Sequence, residues 1–339
     1  MQFCGQFLAS HEPLRSYSNS TDKRSFARFL NVTRPKFNTC KLCLKFLTCA
    51  EQIYDRMIEL ISDFDVLRVA SFSDEQVGGN PAGVVIAEDL PDSSLMQSIA
   101  AEVGYSETVF AAPIENGWRV RYFSPESEVP FCGHATIALG AALAMRSGDG
   151  VFELTLNNTK ITVEGHHKEG LLTASLQSPL TRSKQAPSAL LADVLNLFSY
   201  SASDVNEAAP PAIIHGGADH FLLMLNSREA HAAMSYDLNM GRELMRQQGW
   251  ATIMLVYAES PQLFHSRNAF ASGGVYEDPA TGAATAAFAG YLRDIDWPHM
   301  GVINIIQGED MGMRSLIRAE ILPTLGSSIR VSGAVRPIV

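Results

Sequence analysis

Several things are scarce in this 339-residue chain, and each scarcity excludes a class of protein. No run of about 18 consecutive apolar residues occurs, so no membrane-spanning helix is expected. Basic residues are outnumbered, 26 Lys+Arg against 36 Asp+Glu, and an acidic excess argues against a general nucleic-acid binder, which needs a basic face. Gly (25) and Pro (16) are too few for collagen or a low-complexity chain. Cysteine is limited to five, four of them (Cys4, Cys40, Cys43, Cys49) near the start, so no disulfide scaffold is implied. Neither GxGxxG nor a P-loop stands at a strand-to-helix junction, which makes a Rossmann or kinase-like reading poor. What remains is 46% hydrophobic and 18% charged, the composition of a water-soluble globular protein long enough for two domains.

Charge divides the chain. Residues 1–56 hold nine Lys/Arg and four Asp/Glu, net +5, which leaves −15 for residues 57–339. Cys40-x-x-Cys43 is half of a zinc or redox pattern, but no second CxxC or paired His ligands accompany it. Residues 1–60 are therefore read as an extension. Their Ser- and Arg-rich composition fits an organelle transit peptide, and fits equally an extended start upstream of an initiator at Met57. A cytoplasmic location is expected in the second case and organelle import in the first.

Regular patterning begins at Asp65. Strands are predicted at 65–71 and 82–86, the latter after the turn signal Gly78-Gly79-Asn80-Pro81. Asp92 is the N-cap of a helix carrying Leu95, Met96, Ile99, Ala100 and Val103 on one face. Strands follow at 108–112 and 118–123, then an Ala-rich helix over 133–146 and a hairpin, 152–156 with 161–164, turning at Asn157-Asn158. The polar stretch Gln177–Pro187 is the linker candidate. Beyond it the pattern restarts, with strands near 213–215, 221–225, 253–257 and 264–270 and a second Ala-rich helix from Thr281 to Arg293. Aligning Gly133–Ala144 with Gly282–Arg293 gives five identities in twelve positions, which suggests an internal duplication.

Both Ala-rich helices start at a Gly that directly follows a candidate reactive segment, Pro130-Phe131-Cys132 or Asp278-Pro279-Ala280-Thr281. A helix start presents unpaired N–H groups and the positive end of the macrodipole, and Gly lets a ligand approach the backbone. Two such starts facing one cleft would hold a carboxylate and stabilise the carbanion or enolate formed beside it.

Four separated segments, Gly78-Gly-Asn-Pro-Ala-Gly-Val84, Tyr105-Ser-Glu-Thr-Val-Phe110, Arg121 through Thr136 and Glu277-Asp-Pro-Ala-Thr-Gly-Ala283, occur in an order that resembles the PhzF-like family, named for a phenazine-biosynthesis isomerase. The resemblance spans Asp65 to the C-terminus. It implies an α+β, diaminopimelate-epimerase-like fold: two pseudo-symmetric domains, each a curved, mainly antiparallel sheet around a central helix. The boundaries expected are 63–176 plus the returning strand in 328–339 for one domain and 177–327 for the other.

The resemblance also implies a cofactor-independent isomerase, without metal, acting on a small amino- or hydroxy-substituted carboxylate, and a possible homodimer. Glu107 matches the family's proton-moving Glu, and burial in a dry cleft makes a carboxylate a better base. His134 and Asp278 match its other catalytic polar residues. Asn80 and Ser124 align with substrate-binding positions, beside Cys132, Gly133, Thr281, Gly282 and Ala283 around the helix starts. In diaminopimelate epimerase, the resemblance implies, two thiols face one carbon from opposite sides. Here Cys132 holds the first position and Thr281 the second, and a hydroxyl is too weakly acidic to exchange protons as a thiol does. One-base proton transfer by Glu107 is thus preferred. The alternatives are a racemase or epimerase using Cys132, and a catalytically silent metabolite-binding protein that kept the cleft. One departure stands out: in Gln307-Gly-Glu-Asp-Met-Gly-Met-Arg-Ser315, Met313 and Arg314 occupy the places of the family's Arg and Pro.

Overall fold

Two Ala-rich helices organise the chain, each enclosed by strands. The computed structural model describes residues 64–338. The extension at 1–60, with its Cys40-x-x-Cys43 pattern and the alternative start at Met57, lies outside the described residues.

Strand β1 (Val66–Ser73) runs antiparallel to β2 (Asn80–Ile86). Helix α1 (Ser93–Val103) begins at the expected cap, where the Asp92 carboxylate accepts from the Leu95 N–H at 2.9 Å, and it ends at the left-handed Gly104. The chain then returns as β3 (Glu107–Ile114), parallel to β2, and turns into β4 (Gly117–Phe123) and the two-residue β5 (Glu128–Val129). Helix α2 (Gly133–Ser147) follows, then β6 (Gly150–Thr155), β7 (Lys160–Lys168) and β8 (Leu171–Gln177). Strand β17 (Ile329–Pro337) returns from the C-terminus to pair with both β8 and β1. Eight strands therefore close in the order β1-β2-β3-β4-β6-β7-β8-β17.

Helix α2 is buried from His134 to Ala144, and a helix that is apolar all round belongs inside a core. An eight-strand barrel leaves little more than side-chain room. The fit depends on small residues. A Cβ at Gly165 of β7 would lie 2.1 Å from the Gly140 carbonyl oxygen of α2, so helix and strand touch through backbone.

The second half repeats the plan. Its elements are β9 (Arg182–Gln185), α3 (Ser188–Phe198), β10 (Ala212–His215), β11 (Asp219–Leu225), α4 (Arg228–Ala232), α5 (Leu238–Gln248), β12 (Thr252–Ser260), β13 (Leu263–Ala269), β14 (Glu277–Asp278), α6 (Gly282–Asp294), β15 (Val302–Gln307) and β16 (Ser315–Ile321). The parallel join β2–β3 has its counterpart in β11–β12, and the join β4–β6 across α2 has its counterpart in β13–β15 across α6. A two-residue strand precedes each central helix. The duplication read from twelve residues thus extends to strand pairing. The linker reading of 177–187 needs correction: it contains β9, which pairs antiparallel with β10 from Arg182↔His215 to Gln185↔Ala212. Arg-Ser-Lys-Gln has no apolar alternation, and only its backbone pairing makes it a strand.

Candidate active site

Each central helix starts without a side-chain cap. Cys132 and Thr281 occupy the cap positions in non-helical conformations, and neither side chain accepts a capping bond. The first helical bonds run from Thr136 N–H to the Cys132 carbonyl and from Thr285 N–H to the Thr281 carbonyl, both at 3.0 Å. The N–H groups of Gly133, His134, Gly282 and Ala283 precede those bonds and stand outside the helical ladders. A Cβ at Gly133 would meet nothing within 4 Å, so this start opens onto free space. The two helices approach one another, and the halves are joined beside them: Asn80 on β2 donates its side-chain amide to Asp278 Oδ1 at 2.9 Å and to the Ala280 carbonyl at 3.0 Å.

Glu107 sits at the first position of β3, where the strand leaves its turn beside the start of α2. Its side chain is 15% exposed and so largely withdrawn from bulk water. Glu107 Oε2 lies 3.5 Å from His134 Nε2, which is also 3.4 Å from Ser106 Oγ. The other ring nitrogen, His134 Nδ1, lies 3.3 Å from Cys132 Sγ. The imidazole therefore stands between a carboxylate and a thiol. The Ser71 hydroxyl donates to the His134 carbonyl at 2.7 Å and holds that turn to β1.

Asp278, from the second half, is buried, and its carboxylate accepts from Asn80 and from the Thr281 hydroxyl. Burial pushes its carboxyl up to about 6, with the Glu107 charge adding to the rise and His134 and Thr281 opposing it. Gln307 fixes the same turn, donating to the Asp278 carbonyl at 2.7 Å and accepting from the Thr281 N–H at 3.1 Å. Burial, followed by the Glu107 charge, pushes the Cys132 thiol well above its ordinary range, while the Ala135 amide pulls the other way.

A matched pair of braces aims the two helix starts. On β4, Arg121 grips Glu128 of β5 with Nε–Oε1 at 2.8 Å and Nη2–Oε2 at 2.6 Å. On β13, Arg267 grips Glu277 of β14 with the same atoms at 3.0 and 2.6 Å. The registers correspond, since Glu128 pairs with Phe123 and Glu277 with Ala269, each two residues beyond the Arg. Planar two-point pairing fixes orientation as well as distance. The sequence reading missed both braces. The signal available was an Arg seven residues before a Glu in one half and ten before in the other, which is too irregular to notice without the strands.

The structure brings Glu107, Cys132, Gly133, His134, Asn80, Asp278, Thr281, Gly282 and Ala283 to the two helix starts. Ser124 is engaged in its own turn. Its hydroxyl closes the β4–β5 turn, accepting from the Glu126 and Ser127 N–H groups at 3.3 and 3.1 Å and donating to the Ser127 carbonyl at 3.0 Å. Asn80 is present, with its amide committed to Asp278 and Ala280. Arg314 pairs with Asp74 at 2.7 Å and with Glu309, so the departure at 313–314 supplies a tie between the β1–β2 turn and the loop after β15. Gly78 packs against that loop so closely that a Cβ would lie 1.8 Å from the Arg314 carbonyl oxygen.

With this geometry in view, the pattern of the family described as phenazine biosynthesis-like protein, PhzC-PhzF, matches residues 69–335. The chain belongs to the PhzC-PhzF family. Among relatives of this family, the uncharacterized isomerase mll1393 of Mesorhizobium japonicum is 32% identical over 283 residues, covering 77% of this chain and 92% of its own. The trans-2,3-dihydro-3-hydroxyanthranilate isomerase of Pseudomonas fluorescens is 30% identical over 257 residues, covering 74% and 88%. The crystal structure of a PhzF-family phenazine biosynthesis protein from Bacillus anthracis superposes with a TM-score of 0.70 at 20% identity, covering 81% of this chain and 96% of that one. The PhzC-PhzF chain thus has the diaminopimelate-epimerase-like fold and is an isomerase. Among the described residues, no helix is long and apolar enough to cross a membrane.

Proposed function

We propose that the protein moves a proton between two carbons of a small carboxylate, with Glu107 as the single acid and base. The observation that carries this reading is the 3.5 Å approach of Glu107 to His134 beside two uncapped helix starts. The substrate carboxylate accepts from the N–H groups of Gly133, His134, Gly282 and Ala283. Glu107 then takes a proton from an adjacent carbon, and the C–H electron pair enters the conjugated carboxylate as an enolate. That charge develops where the helix starts are already positive, so its stabilisation needs no rearrangement. Protonated Glu107 returns the proton on the same face to a second carbon of the conjugated system, where the enolate's electron pair forms the new C–H bond as the carbon–carbon double bond shifts and the carboxylate is restored. His134 orients the carboxylate of Glu107, and Asp278, held by Asn80 and Thr281, faces the substrate from the other half.

Inversion by two thiols is the less favoured reading, because Thr281 stands at the second position and the Cys132 thiol holds its proton tightly. Incubation of candidate amino- and hydroxy-acids in deuterated water, followed by NMR of carbon-bound hydrogen, tests the choice. Glu107→Gln abolishes exchange if the proposal is right, and Cys132→Ser slows it far less. The reverse pattern would transfer the role to the thiol, and a ligand that binds without any exchange would leave a silent binder.

A further inference from the structure

The mechanism leaves one group at the site unused. Cys132 is a half-buried thiol, 3.3 Å from His134 and close enough to Glu107 for its charge to act on the sulfur. One sulfur, one nitrogen and one oxygen from Cys132, His134 and Glu107 all lie within 4.8 Å of one another. We propose that these three side chains form an inhibitory site for a thiophilic divalent cation of the Zn2+ class, bound in place of substrate.

The donor set and its spacing favour such an ion. Thiolate and imidazole together select Zn2+ and its heavier congener over hard oxygen-seeking cations, and a carboxylate completes three protein ligands. Tetrahedral zinc, with bonds near 2.0–2.3 Å, places ligand atoms roughly 3.3–3.6 Å apart. Two contacts of the trio already stand at 3.3 and 3.5 Å, one on each nitrogen of His134. Binding through one nitrogen requires the remaining donor to close by roughly 1 Å, a side-chain rotation. Three protein ligands leave the fourth tetrahedral position to water. Asp278 lies close enough for its charge to act on Cys132 and adds negative charge from the second half. On coordination the S–H bond gives way to a metal–sulfur bond and the thiol proton leaves to solvent. The ion occupies the oxygen of Glu107 that would accept the substrate proton, so inhibition follows from the proton-shift reading, whereas binding itself does not depend on it.

Cadmium provides the probe, because a cadmium–thiolate bond absorbs in the ultraviolet and can be followed without substrate. The full chain is used with Cys4→Ser, Cys40→Ser, Cys43→Ser and Cys49→Ser, so that Cys132 is the one thiol left. The expected result is a charge-transfer band that saturates at one Cd2+ per chain, is displaced by Zn2+, and disappears in Cys132→Ser. Glu107→Gln and His134→Gln retain the thiol and weaken Cd2+ by about tenfold or more each. Circular dichroism of each variant confirms folding, and Glu107→Gln, an isosteric change, serves if another variant fails to fold. Absence of a Cys132-dependent band at millimolar cadmium overturns the proposal, as does a band whose affinity is unchanged in both Glu107→Gln and His134→Gln. Failure of hydrogen exchange in the metal-free protein would instead count against the isomerase reading and leave the band intact.

Discussion

The Asn80 side-chain amide meets the Asp278 carboxylate at 2.9 Å, joining strand β2 to the residue four positions before helix α6 across 198 residues of chain. Both groups are buried, and the same amide also reaches the Ala280 carbonyl. The bond therefore sets one half of the site against the other.

Removing that amide leaves a buried carboxylate oxygen and a carbonyl without a donor. Asn80→Ala is expected to lower stability by about 1–3 kcal/mol, measured by urea unfolding. Asn80→Asp, which sets a second carboxylate against Asp278, should lose more at neutral pH than in acid. Unfolding midpoints equal to the parent protein would show that the bond contributes nothing.

Acid should stabilise the region around Asp278. Its folded-state carboxyl lies at about 6, above the ordinary 3.8, so its contribution is fully present below about pH 4 and is lost as pH rises through about 6. At about 1.4 kcal/mol per unit this amounts to ~3 kcal/mol. Asp278→Asn keeps the shape and removes the titration. Urea unfolding from about pH 4 to about pH 7 should therefore show a shallower fall for the variant than for the parent.

The two arginine braces predict unequal losses. Arg267 and Glu277 are 9% and 3% exposed, whereas Arg121 and Glu128 are 19% and 28% exposed. Arg267→Ala strands a buried carboxylate and should destabilise by about 3–5 kcal/mol. Arg121→Ala, nearer to water, should fall closer to ~1 kcal/mol. Equal thermal shifts for the two would contradict this account of burial.

Two glycines separate fold from site. Gly78 has φ 59° and a Cβ there would collide with the Arg314 carbonyl, so Gly78→Ala is expected to destabilise by about 3 kcal/mol or more. At Gly133 a methyl meets nothing, and Gly133→Ala should hold or raise stability by about 0.4–1 kcal/mol. Under the proposed mechanism that methyl stands at the helix start that binds the acid. KM for exchange should then rise while the unfolding midpoint does not fall.

Local chemistry was legible in the linear chain. The Asp92 cap, the Ala-rich central helices and the order of the motifs around Asn80, Glu107, His134 and Asp278 all depend on residues close together, so pattern and spacing sufficed. Helices α3, α4 and α5 lie outside the sequence expectations, although Asp237, which accepts from Asn239 and Met240, and the left-handed Gly249 bracket α5 in a readable way. Strand β9 offered no such signal, because a polar edge strand is made by the partner it pairs with.

By itself the sequence determined the repeated plan and the set of reactive groups, since helix periodicity, caps and turn residues act over a few positions. Only the tertiary structure decided which groups meet. The Asn80–Asp278 bridge, the matched Arg–Glu braces and the Cys132–His134–Glu107 cluster all depend on strand register and helix placement. Those contacts join residues from separate strands and turns, and their geometry is set by packing that no local spacing encodes.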